Sequence, residues 1–202
     1  MEDALTAVID SLRTRAFAVV DQLVPEGVLQ GLCEDIRHAA AAHFRPAGVG
    51  RGGQFTVAPD VRSDQLLWMD PQALTEAQAG LLARLDELRV ALNRAFFISL
   101  RRFEGHLTVY SPGAHYQKHV DQFTNHSHRL ISCVIYLNPT WDPSWGGQLR
   151  LFDPASPSRV LLDVEPTWGR TVLFWSDAVP HEVLTTHAPR WSATGWFRDD
   201  DF

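Results

Sequence analysis

The chain has 202 residues, a formal net charge of −6, and 45% hydrophobic against 21% charged residues. That length encloses a hydrophobic core without crosslinks, and that composition excludes a disordered or fibrous chain. The acidic balance supplies no positive field for a phosphate backbone, so no nucleic-acid partner is expected.

In chain order, Met1, Glu2 and Asp3 make an acidic start, and neither a signal peptide nor a membrane span is expected. Leu5, Val8, Ile9 and Leu12 have helical spacing, 16–20 reads as a short strand, and a helix is predicted from Pro25 to near His43. That helix carries Leu29, Leu32, Cys33 and Ile36 on one face. Cys33 and Cys133 each sit in an apolar run, which predicts reduced core thiols and a cytoplasmic setting. Residues 45–62 hold Gly48, Gly50, Gly52 and Gly53 and are predicted to form a mobile lid before a strand ending at 66–69. The glycines lack the Lys-Ser/Thr ending of a phosphate cradle. Thr75, with Gln78 in the capping position, predicts a helix whose buried stripe is Leu81, Leu85, Leu88 and Leu92.

Beyond it the pattern is of strands at 107–110, 130–137, 148–152, 160–164, 171–175, 183–185 and 191–197. Helices first and strands afterwards predict an α+β fold, with about eight strands in a sandwich or barrel.

His119 and Asp121 form an H-x-D pair, which a strand would aim to one side. The motif is short enough to arise by chance among nine histidines, but His181, in Val-Pro-His-Glu-Val, adds a second imidazole from a late strand. Two histidines and one carboxylate suit octahedral iron(II), leaving three positions open, better than they suit a closed zinc site. Arg190, Thr194 and Trp196 share strand parity and so face one side. A guanidinium there can grip the far carboxylate of a dicarboxylic acid through paired hydrogen bonds, with Tyr110 and Tyr136 as further donors. His115, His126 and His128 read as solvated loop histidines, and Gly146 and Gly147 as the end of a turn.

The runs Tyr-x-Pro-Gly, Tyr-x-x-His119-x-Asp121, Tyr136-Leu-Asn, Trp145-Gly-Gly-Gln-Leu-Arg-Leu-Phe, Val172-Leu-Phe-Trp-Ser-Asp and Pro-His181-Glu-Val together resemble the 2-oxoglutarate- and iron(II)-dependent prolyl 4-hydroxylases. Within them the chain is similar to the EGL-nine-like branch, which includes the hypoxia-inducible-factor prolyl hydroxylases and their bacterial relatives. The resemblance extends over most of the chain, since 45–52 and 62–68 look like the loop and strand those enzymes close over a substrate proline.

It implies a double-stranded β-helix, a cupin-like jelly roll, as a single dioxygenase domain over 1–202, with 1–102 as helical support and lid and 103–202 as the jelly-roll core. Iron(II) would be held by His119, Asp121 and His181, and 2-oxoglutarate by Tyr110, Tyr136 and Arg190 in a pocket lined by Leu149, Val183, Thr194 and Trp196. Arg62, Asp64 and Arg129 match substrate-docking positions. Dioxygen is the co-reactant, ascorbate the reductant, and the protein a monomer or weak dimer. The implied substrate is a prolyl residue of a protein, with elongation factor Tu the candidate. Two other readings stay open: hydroxylation of a free amino acid or other small molecule, and a noncatalytic metal or 2-oxoglutarate sensor. The chain departs from the family where Arg62-Ser-Asp64 replaces Arg-Gly-Asp, and where the stretch from Tyr110 to His119 is one residue shorter than in animal members.

Overall fold

A computed structural model describes residues 2–39, 43–50, 56–121 and 128–201. The first half alternates three helices with short strands: α1 (Glu2–Arg15), β1 (Phe17–Val20), α2 (Glu26–His38), β2 (Arg45–Pro46), β3 (Gln65–Trp68) and α3 (Glu76–Phe96). The second half supplies β4 (Arg102–Tyr110), β5 (Tyr116–His119), β6 (Arg129–Tyr136), β7 (Leu149–Asp153), β8 (Ser156–Val164), β9 (Thr171–Trp175), β10 (His181–Val183) and β11 (Arg190–Arg198). Seven strands form one antiparallel sheet in the order β1-β9-β6-β11-β4-β3-β2, and four form a second in the order β5-β10-β7-β8. The two sheets are the halves of the expected jelly roll.

The helices form where local chemistry and one-sided burial agree. The Thr75 hydroxyl accepts from the Gln78 amide and starts α3, whose stripe of Leu81, Leu85, Leu88 and Leu92 is fully buried. Each such leucine stabilises the fold by roughly 1.5–3 kcal/mol. With Leu29, Leu32, Cys33 and Ile36 of α2, this stripe packs on Leu107, Ile131, Cys133, Ile135, Ala193 and Phe197, the outer face of the larger sheet. Cys33 and Cys133 are free and buried, as expected. No helix among the described residues is long and apolar enough to cross a membrane.

Because strand side chains alternate, the neighbours of those outer residues point between the sheets. Register fixes the inner face as cross-strand tiers: Tyr110 beside Arg190, Thr108 beside Ser192 and Tyr136, His106 beside Thr194 and Val134, and Glu104 beside Trp196 and Ser132. Apolar Leu149, Leu151, Val164 and Val183 of the smaller sheet meet Tyr110, Tyr136, Val172 and Phe174 of the larger. Between β4 and β11, Gly195 lies opposite Gly105. A Cβ on Gly195 would collide with the Glu104 carbonyl oxygen and meet the Phe103 ring at 2.6 Å.

Several boundaries differ from expectation. α2 stops at His38, with Ala39 extended, rather than near His43. Its apolar stripe ends at Ile36, and Phe44 is drawn onto the core, so tertiary packing overrides the helix preference of Ala39. His181 starts a late strand as expected, and that strand, β10, ends at Val183 rather than at residue 185. β4 and β8 start earlier than their apolar runs. β5 ends at His119, so Asp121 lies just past the strand, not on it. The predicted lid contains β2 and a Val49–Thr56 bridge; its residues 51–55, like His126, lie outside the described residues.

Candidate active site

His119 ends β5 and His181 begins β10, and these two residues are opposite one another in the ladder. Adjacent strands of the smaller sheet thus bring two imidazoles from distant sequence positions together, with ring centroids 4.2 Å apart. Each ring is oriented through Nδ1: His119 bonds the Gln117 carbonyl at 2.7 Å and His181 the Val179 carbonyl at 3.0 Å. A carbonyl only accepts, so Nδ1 carries the proton and Nε2 presents its lone pair. Both Nε2 atoms face Asp121 Oδ1, at 3.5 and 3.7 Å. The ligand atoms of the three residues lie within 4.8 Å of one another.

The other oxygen, Asp121 Oδ2, is already engaged. It accepts from Ser132 Oγ at 2.6 Å and from Trp196 Nε1 at 2.9 Å, and Ser132 also bonds Ser176 at 2.8 Å. Burial opposes ionisation of Asp121, but the flanking imidazoles and the Ser132 hydroxyl outweigh it and hold the carboxyl below the usual range. Burial, with the neighbouring His119, pushes His181 down to about 4, which keeps its ring neutral near physiological pH.

Deeper along β11, Arg190 is 1% exposed. Its Nε donates to the Gly147 carbonyl at 2.8 Å, and its guanidinium lies over the rings of Tyr110 and Tyr136, at 4.8 and 5.0 Å. No carboxylate among the described residues pairs with it. The Tyr136 hydroxyl is buried without a hydrogen-bond partner, and burial pushes its pKa up. A buried cation without a counter-ion is costly, so this end of the inner face calls for an anion.

The model of the 2OG-Fe(II) oxygenase superfamily matches residues 105–198. A Pseudomonas putida prolyl-4-hydroxylase is 38% identical, with a TM-score of 0.86, covering 98% of this chain and 100% of that one. The chain belongs to the 2OG-Fe(II) oxygenase superfamily, in its prolyl 4-hydroxylase-like family. A prolyl hydroxylase from Trichoplax adhaerens, in complex with a hypoxia inducible factor oxygen degradation domain peptide fragment, is 25% identical, with a TM-score of 0.84 over 98% of this chain and 90% of that one. No curated protein sequence matches the chain.

The oxygenase is thus an enzyme that uses iron(II), 2-oxoglutarate and dioxygen. The donor set fits the metal: two neutral imidazole nitrogens and one carboxylate oxygen converge from one side, while the second oxygen is tied back by protein donors. When bound, iron would activate dioxygen, whose four oxidising equivalents divide between 2-oxoglutarate, oxidised to succinate and carbon dioxide, and the carbon that is hydroxylated.

The structure also brings the other expected residues to this inner face. Leu149 and Val183 are buried and directly paired across β7 and β10. Thr194 is half-buried, bonded to Ser192 at 3.1 Å. Arg62, Asp64 and Arg129 lie at the metal end. Arg62 grips Asp64 through two hydrogen bonds and covers the Tyr116 ring at 4.1 Å, and Tyr116 in turn stacks on His119 at 3.6 Å. Arg129 pairs with Glu104 and lies 3.4 Å from the centre of the Trp196 ring. Of the loop histidines, His128 is paired with Asp199, and His115 meets the Asp60 carbonyl.

Ser132, His106, Tyr116 and Gly147 were not anticipated as parts of this site. Gly147 has φ +66, and a Cβ there would press on Thr186 and Trp141 at 3.1 Å, so the turn that offers its carbonyl to Arg190 requires glycine. Ser132 shares strand parity with Val134 and Tyr136, and a lone polar residue on that apolar face was the available signal.

Ser132→Ala is expected to weaken metal binding by about 10- to 100-fold while leaving the fold intact. Manganese(II) titration of the native and variant oxygenase measures this.

His106, buried between Trp68 and Trp196, is pushed from 6.5 down to about 3 by burial and by the nearby Arg62 and Arg129 charges. Its neutral ring makes stability pH-dependent. As pH falls below 6.5 the unfolded chain takes up the proton first, so stability is full above that pH and declines toward about 3. The slope from this group is at most about 1.4 kcal/mol per pH unit. Urea midpoints recorded from neutral to mildly acidic pH are expected to fall less steeply for His106→Asn than for the native chain.

Proposed function

We propose that the oxygenase hydroxylates a prolyl residue of a protein substrate, as a prolyl 4-hydroxylase acting within a single domain over 1–202. In this reading His119 Nε2, His181 Nε2 and Asp121 Oδ1 hold iron(II). Arg190, Tyr110 and Tyr136 receive the distal carboxylate of 2-oxoglutarate, against Leu149, Val183, Thr194 and Trp196. The observation that carries the cosubstrate assignment is the buried Arg190 guanidinium, which no carboxylate among the described residues pairs, beside the unpartnered Tyr136 hydroxyl. The prolyl assignment rests on the whole-length similarity to the Pseudomonas putida prolyl-4-hydroxylase.

The substrate lies at the metal end, bounded by Arg62, Asp64 and Arg129, which meet the ligand residues through Tyr116 and Trp196. Those aromatic contacts carry a docked chain's position to the metal ligands and shield the reacting carbon from water. Elongation factor Tu is the protein substrate, ascorbate the reductant, and the cytoplasm the compartment.

Incubation with iron(II), 2-oxoglutarate, ascorbate and elongation factor Tu is expected to add one oxygen atom to a prolyl residue, read by peptide mass spectrometry. An unmodified elongation factor Tu in a reaction that oxidises free proline would transfer the activity to a small-molecule substrate.

A further inference from the structure

Glu104 stands on the inner face of β4 at the metal end, opposite Trp196 of β11, whose neighbour on the other side is Ser132 of β6. A partly buried carboxylate needs partners, and Glu104 finds them across the sheet. Its Oε2 accepts from Arg198 Nη1 at 2.8 Å, from Arg129 Nη2 at 3.1 Å and from Arg129 Nε at 3.3 Å. Arg129 starts β6, and β11 lies between β6 and β4. To reach Glu104 the guanidinium crosses Trp196, 3.4 Å from the centre of its ring. The ion pair is therefore a strap over the indole, and Trp196 Nε1, held beneath it, donates to Asp121 Oδ2 at 2.9 Å.

The far end of the strap is anchored. Arg198 gives Nη1 to Glu104, and Nε and Nη2 to the Asp200 carboxylate at 2.8 and 2.6 Å. Asp200 is held in turn by Arg102. Register sets Arg198 opposite Arg129 across β11 and β6, two like charges that repel unless a carboxylate lies between them. Glu104 is that carboxylate.

We propose that Glu104 is a positioning residue for the reaction: by holding Arg129 flat on Trp196 it fixes both the guanidinium that bounds the substrate and the indole that bonds Asp121. The substrate half rests on the role proposed above for Arg129, whereas the metal half does not.

Two substitutions test it without stranding a charge. Glu104→Gln keeps the shape and an acceptor oxygen and leaves Arg198 paired with Asp200. Arg129→Gln leaves Glu104 paired with Arg198. Both variants are expected to show native circular dichroism. With elongation factor Tu as substrate, at saturating iron(II) and 2-oxoglutarate, Glu104→Gln is expected to raise KM by about tenfold and to leave kcat within about twofold of native. Arg129→Gln is expected to raise KM at least as far, and Glu104→Gln added to it to change KM little more, because one residue acts through the other. Manganese(II) titration without substrate is expected to give an affinity about threefold weaker for each single variant, a smaller loss than for Ser132→Ala because the strap is one contact further from the metal.

A native KM in Glu104→Gln beside a raised KM in Arg129→Gln overturns the positioning role and leaves the docking role of Arg129 standing. A native KM in both variants removes that docking role as well. Losses that multiply in the double variant also overturn the proposal, since Glu104 would then act without Arg129. The manganese titration needs no substrate, and native affinity in both single variants overturns the metal half whichever protein is hydroxylated.

Discussion

Asp121→Ala is expected to reduce metal affinity by more than about 100-fold and to bring substrate-dependent 2-oxoglutarate turnover to background. The substitution removes Oδ1, which faces both Nε2 atoms, and leaves the two imidazoles without the carboxylate between them. It also strips Ser132 Oγ and Trp196 Nε1 of their shared acceptor, a loss of about 1–3 kcal/mol per buried donor. The variant therefore unfolds at a somewhat lower temperature but still folds. Calorimetric titration with manganese(II), alongside succinate formation with a protein substrate present, measures both effects. Equal and negligible turnover in native and variant proteins would favour a noncatalytic sensor of metal or 2-oxoglutarate.

Arg190→Met separates binding from folding. Truncating one side of a buried charge pair costs about 2–5 kcal/mol, so 2-oxoglutarate affinity is expected to fall between about 30- and about 4,000-fold. Without cosubstrate the same change replaces a buried cation that no carboxylate among the described residues compensates, and the free variant is expected to be as stable as the native chain or more so. Adding 2-oxoglutarate with manganese(II) should raise the melting temperature of the native protein and barely move that of the variant. A variant that binds 2-oxoglutarate as tightly as the native chain would place the distal carboxylate elsewhere.

The parts of the site legible in sequence are those where chemistry demands one residue type at a fixed interval. Two imidazoles and a carboxylate have few substitutes around iron(II), and the two-residue period of β11 alone puts Arg190, Thr194 and Trp196 on one face. The leucine stripe of α3 was legible for the corresponding reason at helical period. What escaped was set by neighbours in space. Ser132 becomes a carboxylate donor only once register places it beside Trp196 and Asp121. His106 gains its neutral, buried character from Trp68 and Trp196, residues far from it in sequence.

The strand boundaries erred for a related reason. Arg102, Glu104, Gly105 and His106 do not read as a strand, yet β11 pairs with β4 from Arg190–Tyr110 to Arg198–Arg102. Their backbone groups need that ladder regardless of side-chain preference. Asp121 left its strand without leaving the site, because adjacency to His119 in the chain and the pull of Ser132 and Trp196 suffice to place it.

A crystal structure with manganese(II) and N-oxalylglycine, a non-reacting isostere of 2-oxoglutarate, tests the assignment most directly. The expected result is manganese bound by His119 Nε2, His181 Nε2 and Asp121 Oδ1, with the distal carboxylate on the Arg190 guanidinium and the Tyr136 hydroxyl. Manganese held by other residues, or the isostere bound away from Arg190, would contradict it.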